Sequence, residues 1–226
     1  MGYILPDIYM SAAAEANQEM PTVFLETGTF KGGIPFRIMD TYKDLPDVFK
    51  KYYTIELGED ICKIASKRYK HFEENNCNPP YELMHTDEKD ESFCKRGEYF
   101  DGRLTLINDD CIKALPEIIK DIDEPICFWL DAHSGAQKYA RGVEDVPLLT
   151  ELEIIKNHSV KNHIIAIDDA HLFGQLQHDK KTGEVSCDYR HVTYEVVEQK
   201  IKEINPNYDV GIYAPYGMQM ILAYVK

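Results

Sequence analysis

No apolar run in the chain approaches the roughly 20 residues of a membrane-spanning helix, so no membrane span is expected. Met1 to Met10 lack a basic stretch followed by a long apolar core, and no secretory signal is expected either. Basic residues are scarce: 25 Lys and Arg stand against 39 Asp and Glu, a formal net charge of −14. A groove that tracks a phosphate backbone needs clustered Lys and Arg. Their absence from the sequence argues against long nucleic acid, and against anionic membranes, as partners. Cysteine is sparse and unpatterned. Cys62, Cys77, Cys94, Cys111, Cys127 and Cys187 form no C-x-x-C pair. That disfavours a cysteine zinc site and favours free thiols in a reducing, cytoplasmic compartment.

What remains is a core-forming chain. Its 226 residues are 44% hydrophobic, enough for one large α/β domain over 1–226. Ser11 to Asn17 reads as a short helix. The strands expected are Thr22–Thr27, Tyr52–Glu56, Leu104–Ile107, Ile126–Asp131 and His163–Asp168. Helices are expected over Gly32–Tyr42, from Ile61 past Arg68, and over Cys111–Lys120, Pro147–Asn157 and Val192–Ile204. Tyr208–Tyr213 and Met218–Val225 have no helix between them and should pair as an antiparallel hairpin. Residues 75–103 break the alternation and read as an insertion. Within it Tyr81–His85 suggests a short strand and Asp87–Glu91 a solvated loop. Strand–helix alternation of this kind predicts a Rossmann-like three-layer αβα sandwich. Its seven-stranded sheet is mostly parallel, with a C-terminal antiparallel hairpin.

Ligands of such sheets bind beyond the carboxyl ends of the strands. Those ends are loaded with acids: Glu26, Glu56, Asp109 and Asp110, Asp131, and Asp168 and Asp169. After the first strand comes Glu26-Thr27-Gly28-Thr29-Phe30-Lys31-Gly32-Gly33, whose glycines permit a tight turn beside a ligand. Glu56 suits two vicinal ribose hydroxyls. Asp110, beside Cys111, is placed to meet the amino group of an adenine. The plain alternative is a tight strand-to-helix turn with no ligand.

These residues resemble the class I S-adenosylmethionine-dependent methyltransferases from Thr22 to Val225, including the closing hairpin. The resemblance implies a cofactor site of Glu26, Thr27, Gly28, Thr29, Gly32, Glu56, Asp110, Cys111 and Asp131. It departs at Phe30, where the commonest loop of the family has another glycine. The form Glu-Thr-Gly-x-x-x-Gly-Gly is more similar to the macrocin O-methyltransferase-like enzymes, which are metal-dependent sugar O-methyltransferases. That implies an acid after the fourth strand, Asp131, and a pair after the fifth, Asp168 and Asp169.

The tripeptide Asp-Ala-His occurs twice, as Asp131-Ala132-His133 and Asp169-Ala170-His171. Neighbouring strand ends are about 4.8 Å apart, so Asp131, Asp168 and Asp169 can share one cation. An all-oxygen set suits Mg²⁺ or Ca²⁺, and an added histidine favours Mn²⁺, Fe²⁺ or Zn²⁺. His171 is the histidine favoured for a metal and His133 for acid–base work. Catalytic candidates are therefore Asp131, His133 and His171. Without a metal, Asp131 would hold the cofactor's amino group, Asp168 would cap a turn, and either histidine would be a bystander. Tyr139 and Arg141, in the loop Ser134–Gly142, are candidates for contact with the acceptor. His85, His158 and His163 have no supporting context.

The expected activity is S-adenosylmethionine-dependent methyl transfer to a small-molecule hydroxyl, assisted by Mg²⁺ or another divalent cation, with a homodimer as the default assembly. The alternatives are an NAD-dependent oxidoreductase or epimerase, because Glu56 also suits the ribose of NAD, and a non-catalytic binding module on the same fold.

Overall fold

Five apolar runs of the sequence fold as the parallel centre of one sheet. The computed structural model describes residues 7–45, 47–75, 86–134, 140–214 and 219–226. Its elements begin with α1 (Asp7–Glu15), β1 (Val23–Thr27), α2 (Gly33–Thr41), β2 (Lys51–Glu56), α3 (Glu59–Asn75), β3 (Arg96–Tyr99), β4 (Leu104–Asn108) and α4 (Cys111–Ile119). They continue with β5 (Ile126–Leu130), α5 (Leu148–Asn157), β6 (Ile164–Ile167), β7 (Leu176–His178), β8 (Val185–Asp188), α6 (Tyr194–Ile204), β9 (Tyr208–Tyr213) and β10 (Met220–Val225). Eight strands form the main sheet in the order β3-β4-β2-β1-β5-β6-β10-β9. β3 runs antiparallel to β4, and β10 runs antiparallel to β6 and to β9.

The sheet has one strand more than the seven expected, and the addition falls inside the expected insertion. β3 returns tightly onto β4 with Tyr99 opposite Leu104, through left-handed Phe100, Asp101 and Gly102. Only Tyr99 of its four residues is buried, so no alternating pattern marks it in the sequence. The β7–β8 hairpin is silent for the same reason, with Cys187 its only buried residue. Tyr81–His85 and the turn at 215–218 lie outside the described residues.

Every residue of β1 and β5 is buried, as strands covered on both faces must be. Val23 and Leu25 face α4, α5 and α6, whereas Phe24 packs with α1, α2 and α3. Each fully buried Leu, Ile or Phe contributes about 1.5–3 kcal/mol, which makes this central pair the anchor of both layers. The helices start where capping chemistry allows. The Asp110 carboxylate accepts the Ile112 N–H at the start of α4, and the Thr193 hydroxyl accepts the Val196 N–H at the start of α6.

His158 and His163 are core fittings. The Ile126 N–H donates to His163 Nδ1 (3.1 Å), so the His163 proton sits on Nε2 and points at His158 Nδ1 (3.1 Å). His158 Nε2 then donates to the Ile122 carbonyl (2.7 Å). Burial, with His158 alongside, holds His163 down at about 3, so its ring is neutral. Among the described residues Cys62, Cys94, Cys111, Cys127 and Cys187 are free thiols.

The run Asp87–Glu91 is not simply solvated. It lies along α3 through the pairs Glu88–Lys67, Lys89–Asp60 (2.7 Å), Asp90–Lys70 (2.6 Å) and Glu91–Lys63 (3.6 Å), and reaches the loop after β1 through Asp87–Lys31 (2.5 Å). Asp90 also accepts from Ser66 Oγ, and from the N–H and Oγ of Ser92; Lys70 first, with these donors, holds its carboxyl far below the usual range against the effect of burial. Exposed pairs are worth little singly and are screened by salt. Asp90→Ala should therefore cost about 1–2 kcal/mol and speed amide exchange across 86–95. About 0.5 M NaCl should loosen the same amides partway. Exchange unchanged in both experiments would mean that packing alone holds the segment.

Candidate functional site

The register places the strand ends level. Thr27 lies opposite both Ile55 and Leu130, Leu130 opposite Ile167, and Glu56 opposite Asn108. The residues that follow emerge along one edge of the sheet. They border a cleft of about 310 Å³, within the range of small-molecule sites. Glu56, Asp109, Asp110 and Cys111 line it from β2 and β4, on one side of β1. Asp131, His133, Asp168 and Asp169 line it from β5 and β6, on the other side.

The loop after β1 is folded down across β2, because the N–H groups of Gly28 and Thr29 both donate to the Ile55 carbonyl (3.0 and 3.1 Å). Gly28 has φ +80°, and a side chain there would meet the Asp131 carbonyl. Phe30 also stands in the left-handed region, at φ +50°. That conformation costs a non-glycine residue about 1–2 kcal/mol. The Phe30 N–H donates to Glu56 Oε2 (2.7 Å), and a hydrogen bond to a charged group contributes about 1.5–3 kcal/mol. The loop thus holds a backbone shape that glycine adopts more readily than phenylalanine. Glu56 also accepts the Gly58 N–H (2.8 Å). Burial lifts its carboxyl to about 7 despite these donors.

Three expected cofactor residues do not reach the cleft surface. Glu26, Thr27 and Gly32 lie beneath it. Glu26 is fully buried and faces the layer of α1–α3. Thr54 Oγ1 donates to one of its oxygens, and burial lifts its carboxyl to about 8. Its other oxygen, the Tyr69 hydroxyl and Trp129 Nε1 are buried without a hydrogen-bond partner. Asp110 caps α4 through one oxygen, and its second accepts the Val143 N–H (3.2 Å), drawing residues 142–143 over the cleft.

On the other side, ligand atoms of Asp131, His133 and Asp169 all lie within 4.8 Å of one another. His133 Nε2 is 3.3 Å from Asp169 Oδ2 and 3.9 Å from Asp131 Oδ1. Asp168 is not in this set, and one of its oxygens accepts the Asp169 N–H (2.8 Å). Asp169 is left-handed at φ +57°. Burial opposes charge on His133, but Asp169, Cys187, Asp131 and the Ser134 carbonyl together raise its pKa. Burial and Asp168 raise Asp131, whereas His133 holds Asp169 low against the effect of burial. These residues fit a divalent cation: two carboxylates and an imidazole present their ligand atoms within 4.8 Å of one another on the cleft wall.

His171 is 46% exposed at its side chain, 3.9 Å from Asp169, and is not part of the cleft wall. Arg141 turns away to the Val185 carbonyl (2.9 Å), and Tyr139 lies outside the described residues. Lys31, Arg37 and Arg68 line the cleft although nothing in the sequence reading singled them out. For Arg68 the signal was present: an arginine on the apolar stripe of α3, now 1% exposed and donating to the Lys31 carbonyl.

No family model matches the sequence, and no curated protein does. Solved structures do match over nearly the whole chain. The SAH-bound methyltransferase of Podospora anserina is 15% identical, with a TM-score of 0.52, over 100% of this chain and 80% of its own. The O-methyltransferase TomG of Streptomyces achromogenes, solved with SAM, is 13% identical, with a TM-score of 0.50, over 98% of this chain and 78% of its own. The fold is that of the class I methyltransferases. The sheet accounts for the match: five parallel strands, then β10 inserted antiparallel between β6 and β9. Among the described residues no helix is long and apolar enough to cross a membrane.

Proposed function

We propose that the chain is an S-adenosylmethionine-dependent methyltransferase acting on a hydroxyl of a small molecule. The observation that carries this is the division of one cleft by β1, with nucleoside-suited acids on one side and a carboxylate–imidazole cluster on the other. Glu56 holds the ribose and Asp110 the adenine, and the Gly28–Phe30 loop lies along the methionine portion. The acceptor oxygen attacks the methyl carbon in line as the carbon–sulfur bond breaks, its electron pair passing to sulfur. The hydroxyl proton passes to the cluster of Asp131, His133 and Asp169. The protein's main contribution is alignment of donor and acceptor. A divalent cation on these carboxylates would act as a Lewis acid that lowers the pKa of the acceptor hydroxyl. Asp168 and Asp169 after β6 support the macrocin-like subgroup and a polyhydroxylated acceptor.

Calorimetric titration with S-adenosylmethionine, S-adenosylhomocysteine and NAD tests the reading. Binding of the first two, and not of NAD, is expected. Binding of NAD alone would support the oxidoreductase instead, and binding of none would support a non-catalytic module. Glu56→Gln should weaken S-adenosylhomocysteine by about 1.5–3 kcal/mol, the scale of a charge-assisted hydrogen bond. An unaltered dissociation constant would place the ribose elsewhere.

A further inference from the structure

We propose that His133 is a metal ligand, and that Asp131, His133 and Asp169 form a mixed nitrogen–oxygen site. Such a site takes a first-row transition ion such as Mn²⁺, Fe²⁺, Co²⁺ or Zn²⁺ in preference to Mg²⁺ or Ca²⁺. The use of this ion in catalysis rests on the proposed methyl transfer; the binding of the ion does not.

The argument starts from the second nitrogen of the ring. His133 Nδ1 is 2.8 Å from the Ser134 carbonyl oxygen. A carbonyl only accepts, so Nδ1 carries a hydrogen, and Nε2 is the nitrogen that faces the two carboxylates and gives up its proton when an ion takes that place. That is the arrangement of metal-binding histidines, whose other N–H is engaged by a carbonyl or carboxylate that fixes the ring. The support is itself fixed. Ser134 is 4% exposed, its N–H donates to the Asp145 carbonyl (2.6 Å) and its Oγ to the Asp145 carboxylate (3.0 Å). The Tyr189 ring, 6.1 Å from the imidazole centroid to centroid, walls the other side.

The spacing suits a single ion. With bonds of about 2.1 Å, ligands lie about 3.0 Å apart when adjacent and about 4.2 Å apart when opposite. The observed 3.3 and 3.9 Å from Nε2 to the two carboxylates fall between these limits, and the two carboxylate oxygens lie within 4.8 Å of each other, a separation that small side-chain rotations bring to an ion. The donor set then decides the class. Mg²⁺ and Ca²⁺ take oxygen ligands, whereas imidazole suits zinc, iron and their neighbours. The histidine chosen differs from the sequence expectation. The sequence favours His171 for the metal, but it stands outside the cleft wall, 3.9 Å from the Asp169 carboxylate.

The test uses untagged full-length protein stripped of metal with a chelator. Co²⁺ is titrated by its visible absorption and Mn²⁺ by its electron paramagnetic resonance signal, without cofactor. One ion should bind per chain, with d–d bands showing nitrogen ligation, and a large excess of Mg²⁺ should fail to displace it. His133→Gln should weaken Co²⁺ by more than about 10-fold and change Mg²⁺ far less. His133→Ala should do the same, and circular dichroism would confirm that each variant is folded. Equal affinity for Mg²⁺ and Co²⁺, indifference of Co²⁺ to both substitutions, or no binding at all would overturn the proposal. S-adenosylhomocysteine titrated separately keeps the two readings apart. A chain that binds Co²⁺ but no nucleoside retains this site and loses the methyltransferase reading.

Discussion

Gly28→Ala is expected to destabilise the protein by about 3–5 kcal/mol, in the range reserved for strained backbone and overpacked sites. Two costs add. At φ +80° a residue with a side chain gives up about 1–2 kcal/mol. The new methyl would also stand 2.3 Å from the Asp131 carbonyl oxygen, 2.6 Å from its carbon and 2.9 Å from the Ala132 nitrogen. All three are backbone atoms, so no rotamer change relieves the contact. The loop after β1 must part from the loop after β5, carrying Asp131 away from Asp169. Urea unfolding should show the lost stability, and S-adenosylhomocysteine binding should fall with it. Gly33→Ala, five residues on, is the internal control. Gly33 has an ordinary φ and open space around its Cβ position, and it opens α2. Alanine there should be neutral, or stabilising by up to about 1 kcal/mol. Equal losses at both positions would refute the contact between the two loops.

The fold was legible because its signals were local. Buried parallel strands are short apolar runs, and Val23–Leu25 and Ile126–Leu130 stand out as such. Acids at the strand ends follow from the same register, so the convergence of Glu56, Asp110, Asp131, Asp168 and Asp169 on one cleft could be read in advance. What escaped depended on contacts between distant residues. β3 and the β7–β8 hairpin bury almost nothing, so their strands carry no period. Glu26 looks like its neighbouring acids in sequence, but it points into the α1–α3 layer instead of the cleft. The two copies of Asp-Ala-His are identical as text. The structure separates them because Ser134 holds His133 inward, whereas His171 lies in the 3-10 turn Ala170–Leu172, outside the cleft wall. Phe30 is the converse case. It departs from the family loop in sequence, yet adopts the left-handed conformation that a glycine would.

Glu151→Gln is expected to stabilise the protein by about 3 kcal/mol at pH 8 while changing little at pH 4.5. Glu151 is the fourth residue of α5, fully buried, and neither of its carboxylate oxygens has a hydrogen-bond partner. Thr27 and Cys111 approach without completing one. Burial therefore dominates and lifts the carboxyl to about 7, against an ordinary value of 4.5. A folded-state pKa raised in this way has a definite sign. Below pH 4.5 the group is protonated whether folded or unfolded, and burial carries no ionisation cost. Between pH 4.5 and 7 the unfolded chain releases its proton and the folded chain retains it, so stability falls as pH rises. Above 7 the loss is complete. Glutamine keeps the shape and cannot ionise, so it removes this term alone. Glu26, lifted to about 8, and Glu56, lifted to about 7, push in the same direction. The native protein should therefore weaken from pH 4.5 to 8 by more than Glu151 explains, and the difference between the two proteins' curves isolates its share. Urea midpoints at several pH values give both curves. Parallel curves would mean that the Glu151 charge is compensated inside the fold, and that the pH-dependent loss belongs to the acids around the cleft.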